Sequence, residues 1–130
     1  MPDRPARILV VDDSPIVLDA TRDALEAGGY EVLTHCGEGS FEAVLAEDPD
    51  LVLLDANIPH RSTRHLASLL ASTGAAPPRQ VLLYSSLSPP ELARETKRVG
   101  ADGYVEKTND VTGLNRRVGA FLAARSKPGS

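Results

Sequence analysis

Asp50-Leu51-Val52-Leu53-Leu54-Asp55, running on into Ala56-Asn57-Ile58-Pro59, decides how this chain is read. Four successive apolar residues leave no polar face, so a strand here must be covered on both sides. That is the pattern of a central strand in a parallel sheet, since a half-exposed hairpin strand alternates. The run stops at a carboxylate, Asp55, and Pro59 shows the chain turning away. In open α/β sheets the carboxyl ends of such strands carry the chemistry. A single Asp at a strand end is most often a turn former or helix cap. Its meaning therefore depends on what ends the other strands.

A length of 130 residues is that of one domain with a single buried core. With 42% hydrophobic and 25% charged residues the composition is that of a folded globular protein. A formal charge of −4 and a pI near 5.3 argue against a nucleic-acid surface, which would need a basic patch. The lone Cys36 cannot close an internal disulfide, which fits a reducing cytoplasm. The apolar stretch after the basic start ends at Asp12, too short for a signal-peptide core, and no later run reaches transmembrane length. A cytoplasmic protein without membrane insertion is expected.

Outward from the central stretch, Ile8-Leu9-Val10-Val11 is a second all-apolar strand, ended by Asp12-Asp13. Ser14-Pro15 gives a hydroxyl N-cap and a proline at the first helical position, and Gly28-Gly29 closes that helix. Tyr30 to Thr34 alternates, as an edge strand does. Ser40 is expected to cap a short helix ending before Pro49, and a third helix is expected near Thr63 to Ser72. Val81-Leu82-Leu83-Tyr84 is the fourth strand, ended by Ser85-Ser86. Pro89-Pro90-Glu91 opens a fourth helix that Gly100 closes. Gly103-Tyr104-Val105-Glu106 is the fifth strand, ended by Lys107, and a fifth helix covers about 111–125. Strands alternating with helices predict an α/β fold with a parallel sheet and right-handed crossovers.

A five-stranded doubly wound sheet commonly has the order 2-1-3-4-5, which makes the first and third strands neighbours at the switch point. Asp12, Asp13 and Asp55 then converge in one crevice. Three carboxylates so close repel one another unless a cation joins them. A hard, oxygen-seeking Mg²⁺ suits such a site, because it accepts one or two carboxylates and shares a phosphoryl group. Ser85 supplies a hydroxyl from the next strand, and Lys107 a cation on a long stem from the strand beyond. Nucleophile, metal site, hydroxyl and counter-charge together point to phosphoryl transfer onto a carboxylate.

These residues resemble the receiver domains of two-component response regulators. Val10-Val11-Asp12-Asp13-Ser14 is similar to the family's acidic pair, and Leu53-Leu54-Asp55-Ala56-Asn57-Ile58-Pro59 to its phosphoacceptor strand and loop. Leu83-Tyr84-Ser85-Ser86 resembles its switch hydroxyl, and Gly100 to Lys107 its fifth strand with aromatic and lysine. The resemblance covers about residues 7 to 125, as one receiver domain of flavodoxin-like (βα)5 fold, with 1–6 and 126–130 as short flexible ends. It implies that Asp55 takes a phosphoryl group from the phosphohistidine of a histidine kinase or phosphotransfer protein. Asp13 and Asp55 would bind Mg²⁺ directly, Asp12 through a water, and Asn57 through its main-chain carbonyl. Lys107 and Ser85 would bind the phosphoryl oxygens. Tyr104 would turn inward as Ser85 moves, so that the face made by the fourth helix, fifth strand and fifth helix changes toward a downstream target protein. Enzymatic activity would be limited to the protein's own phosphorylation and slow dephosphorylation.

Two positions depart from the family pattern. Thr108 stands where a cis proline usually follows the lysine, and Thr63 where a glycine is common in the loop after Asp55. They motivate an alternative, an interaction module that signals without phosphate. An Asp-nucleophile phosphohydrolase would want Asp-x-Asp after the first strand, and a flavin site a Ser/Thr/Gly-rich loop there; Asp12-Asp13-Ser14 supplies neither. His35, Cys36, His60 and His65 match no zinc spacing.

Overall fold

In a computed structural model of the protein, residues 5–36, 48–55, 80–107 and 111–125 are described. The expected helix near 63–72 and the expected short helix after Ser40, as far as residue 47, lie outside them, as do Asn57, Thr63 and Thr108. The described elements are β1 (Arg7–Val11), α1 (Pro15–Ala27), β2 (Glu31–His35), β3 (Leu51–Asp55), β4 (Gln80–Ser85), α2 (Pro89–Val99), β5 (Gly103–Glu106) and α3 (Val111–Arg125). Here α2 and α3 are the fourth and fifth helices of the sequence reading. All four strand pairings are parallel and the order is β2-β1-β3-β4-β5, as expected.

β3 is buried at every residue, and β1 and β4 at all but their first. Alternation along the strands divides the core into two faces. Leu9, Val11, Val52, Leu54, Val81 and Leu83 pack with Leu92 and Val99 of α2. Ile8, Val10, Leu51, Leu53, Leu82, Tyr84 and Val105 pack with Leu18 and Leu25 of α1 and with Leu114 and Val118 of α3. Continuous apolar strands are thus explained by helices on both sides.

Side-chain carboxylates pin the strand starts. Arg7 N donates to Asp50 Oδ2 at 2.8 Å and Val81 N donates to Asp102 Oδ2 at 2.8 Å, each across to a neighbouring segment. At the start of α1 the Ser14 Oγ accepts from Val17 N at 3.3 Å. At the start of α2 the Glu91 carboxylate accepts from Ser88 N at 3.3 Å. Gly100 ends α2 with φ +79°, a left-handed backbone that costs glycine little. Gly103 has a different reason: a Cβ there would lie 2.5 Å from the Phe121 ring, so β5 and α3 approach closely only without a side chain. Among the described residues no helix is long and apolar enough to cross a membrane.

Candidate functional site

Strand parity brings the site together. Asp12 follows β1, Asp55 ends β3, Tyr84 precedes the end of β4, and Lys107 follows β5. Each keeps the alternation that its strand sets toward the face covered by α1 and α3. Asp12 is almost fully buried (1% exposed), Asp55 buried and Asp13 exposed. Carboxylate oxygens of the three lie within 4.8 Å of one another. They are the group of possible metal ligands among the described residues; His35 and Cys36 take no part.

Lys107 supplies the counter-charge. Its Nζ is 2.7 Å from Asp12 Oδ2 and 3.7 Å from Asp55 Oδ1. The other Asp12 oxygen, Oδ1, accepts from Ser14 N at 2.9 Å. Both oxygens of the most buried carboxylate therefore have partners, which is what allows a charge at this depth. The Lys107 backbone is fixed too, its N–H donating to Ser85 O at 2.7 Å. Ser85 is 6% exposed, and its hydroxyl accepts from Leu87 N at 3.2 Å.

A crevice of about 670 Å³ opens over these groups. Its rim is formed by Leu87 and by Glu91, Arg94 and Glu95 from the first turns of α2. Arg98 reaches back to Glu95 at 2.6 Å, and this hydrogen bond holds the Glu95 carboxyl below its usual range. Three carboxylates facing one ammonium leave the floor negative, and their donors are all hard oxygens. That donor set fits a Mg²⁺-sized divalent ion. Asp13→Asn removes part of the repulsion, so it is expected to raise the melting temperature of the metal-free protein and to weaken Mg²⁺ binding. Calorimetric melts with and without Mg²⁺ check both signs; a variant that melts lower yet binds Mg²⁺ as before would contradict a shared site.

Tyr104 lies elsewhere, half-buried against the α2-side core. Its carbonyl accepts from Arg117 Nη2 at 2.8 Å, and the Arg117 guanidinium carbon stands 5.9 Å from the Tyr104 ring and 5.5 Å from that of Phe121. Ser85 falls on the same sheet face as Tyr104 by strand parity, while Asp55 and Lys107 fall on the other. The sequence-predicted residues Asp12, Asp13, Asp55, Ser85 and Lys107 thus meet in one crevice, Tyr104 stands apart, and Asn57 lies outside the described residues. Sequence reading missed Tyr84, whose ring lies beneath Lys107, and the α2 rim. Glu91, Arg94 and Glu95 share one face of α2 by helical spacing, and the way that helix leaves Ser88 turns this face to the crevice.

An acidic crevice with one lysine, at the carboxyl ends of a 2-1-3-4-5 parallel sheet, defines the class: a doubly wound α/β protein with its candidate site at the switch point. The model of the response regulator receiver domain matches residues 8–119, and the chain belongs to that family. It is 30% identical over 112 residues to the transcriptional regulatory protein PdtaR of Mycobacterium tuberculosis, covering 85% of this chain and 53% of that one. It is 32% identical over 119 residues to the transcription regulator BvgA of Bordetella pertussis, covering 90% of this chain and 56% of that one. The chain thus spans about half the length of these curated relatives. Among solved structures, the chemotaxis response regulator CheY4 of Vibrio cholerae shares the fold with a TM-score of 0.76 at 24% identity, over 89% of this chain and 98% of that one. The beryllofluoride-activated receiver domain of DrrB, from Thermotoga maritima, has a TM-score of 0.72 at 28% identity, over 92% of this chain and 98% of that one.

Proposed function

We propose that the protein is a phosphorylation-switched signalling module in which Asp55 accepts a phosphoryl group from the phosphohistidine of a histidine kinase or phosphotransfer protein. The observation that carries this reading is the grouping of Asp55 with two further carboxylates and with Lys107, 3.7 Å away, at the floor of an open crevice. An Asp55 carboxylate oxygen attacks phosphorus in line, the P–N bond breaks, and its electron pair returns to the imidazole nitrogen, which takes up a proton. Asp13 and Asp55 would hold Mg²⁺ with the Asn57 carbonyl, and Asp12 would act through a water; the ion supplies charge neutralisation at the phosphoryl oxygens. Lys107 needs only to pivot from Asp12 toward Asp55 to meet the same oxygens. The product is an acyl phosphate.

Ser85 links this event to the surface. Its hydroxyl accepts from Leu87 N at rest, so turning toward the phosphoryl group gives up that bond for a charged acceptor. Its departure would leave room on the α2 side of β4 and β5, into which Tyr104 turns. The face of α2, β5 and α3 then changes toward a target protein. Beryllofluoride, which mimics the acyl phosphate, tests the coupling: with Mg²⁺ it is expected to shift the amide resonances of Tyr104, α2 and α3. Shifts confined to the surroundings of Asp55 would favour the phosphorylation-independent module that Thr63 and Thr108 suggest.

Leu87 sets the lifetime of the signal. It is two residues past Ser85, 36% exposed, and lines the same crevice as Asp55. It offers an attacking water no hydrogen bond, whereas a polar side chain there would position one. One such bond is worth about 1 kcal/mol, and each 1.4 kcal/mol is about tenfold in rate. Leu87→Gln is therefore expected to shorten the acyl phosphate lifetime several-fold, read as loss of label after the donor is removed.

A further inference from the structure

The ring of Tyr84 has a place in the crevice that the acceptor motif does not require. Tyr84 is the Cα partner of Asp55 in the β3–β4 register, so the two side chains emerge next to each other on the same face. Tyr84 is 6% exposed, and Lys107 Nζ stands 5.5 Å from its ring centroid, within the range of a cation–π contact. We propose that Tyr84 is a positioning residue for Lys107, its ring face holding the ammonium in the crevice when a divalent cation takes Asp12 away from it. This inference rests on the reading of Asp55 as phosphoacceptor.

At rest the ammonium has an obvious anchor, the Asp12 carboxylate at 2.7 Å. A divalent ion among Asp12, Asp13 and Asp55 competes for that carboxylate and repels the ammonium as well. The lysine stem has four rotatable bonds, and its side chain keeps 22% of its exposure, so a path outward to water exists. The negative face of an aromatic ring is an uncharged partner for which the metal does not compete. It is also tolerant of direction, so it is retained as the ammonium pivots from Asp12 to the oxygens on Asp55. An aliphatic residue would fill the same volume and form the same wall without attracting the cation. The contribution is one of preorganisation: the fraction of molecules with Lys107 inside sets the apparent affinity for the phosphoryl group.

The test separates ring charge from ring volume. Tyr84 is replaced by phenylalanine, by phenylalanines with one to three ring fluorines, and by leucine. Lys97, Lys107 and Lys127 are the only lysines, so Lys107 side-chain signals are readily assigned in lysine-labelled protein. In the wild type the Lys107 ε-methylene protons are expected to be shifted upfield by the ring and to stay so when Mg²⁺ is added. With Mg²⁺, beryllofluoride affinity is expected to be nearly unchanged in Tyr84→Phe. It should then fall stepwise with each fluorine, by about three- to tenfold in all. An affinity flat across the fluorine series, or Lys107 protons unshifted in the wild type, overturns the proposal. If the wild type binds no beryllofluoride, the phosphoacceptor reading fails. The Lys107 shift, followed through Mg²⁺ addition, still decides whether the ring holds the ammonium.

Discussion

Replacing Lys107 by methionine is expected to cost the metal-free protein about 2–3 kcal/mol of stability and to slow phosphorylation about a hundredfold or more. Asp12 is 1% exposed and, among the described residues, would keep only the Ser14 amide as a charge-stabilising partner, while Asp55 would lose the cation 3.7 Å away. Removing one member of a fully buried pair typically costs about 3–5 kcal/mol; the partial exposure of Lys107 sets the smaller figure here. Because the remaining carboxylates repel one another, Mg²⁺ is expected to recover more stability in this variant than in the wild type. The rate effect has a separate origin: the ammonium would no longer meet charge developing on the transferred oxygens. Urea unfolding with an unchanged m-value, with and without Mg²⁺, reads the first effect, and labelling kinetics with a small phosphodonor read the second. A variant as stable as the wild type and labelled at the same rate would show that Lys107 serves neither role.

The fold was legible because its three central strands are spelled by uninterrupted apolar runs, each stopped by the residue that enters the crevice. Ile8 to Val11, Leu51 to Leu54 and Val81 to Tyr84 could be covered only on both sides, and they are. Boundaries were less legible where a side chain or a helix end captures the backbone. The alternating pattern starts the second strand at Tyr30, yet the Tyr30 N–H donates to Leu25 O and completes the turn that ends α1, so β2 begins at Glu31. The pattern also includes Asp50 in the third strand, whereas β3 begins at Leu51 and the Asp50 carboxylate turns onto the Arg7 amide.

At the site, the residue types and strand ends named Asp12, Asp13, Asp55, Ser85 and Lys107, and the sheet order brings them together. What sequence could not supply was pairing. Lys107 reaches across two strands to Asp12 more closely than to Asp55, a preference set by side-chain reach and burial. The position of Tyr84 under Lys107 depends on parity in two strands at once, and a tyrosine in an apolar run reads simply as core. The rim from α2 depends on how that helix leaves Ser88, which no local pattern fixes.

Intact-mass measurement after incubation with a small phosphodonor and Mg²⁺ tests the assignment of Asp55 most directly. Asp12 and Asp55 are both buried carboxylates beside Lys107, and Asp55 is the one that ends the central strand β3, so its replacement tests which of them is the nucleophile. An amide in its place keeps the size and removes the attacking oxygen's charge. The wild type is expected to gain one phosphoryl group and Asp55→Asn none, both with native circular dichroism; equal labelling of the two would contradict the assignment.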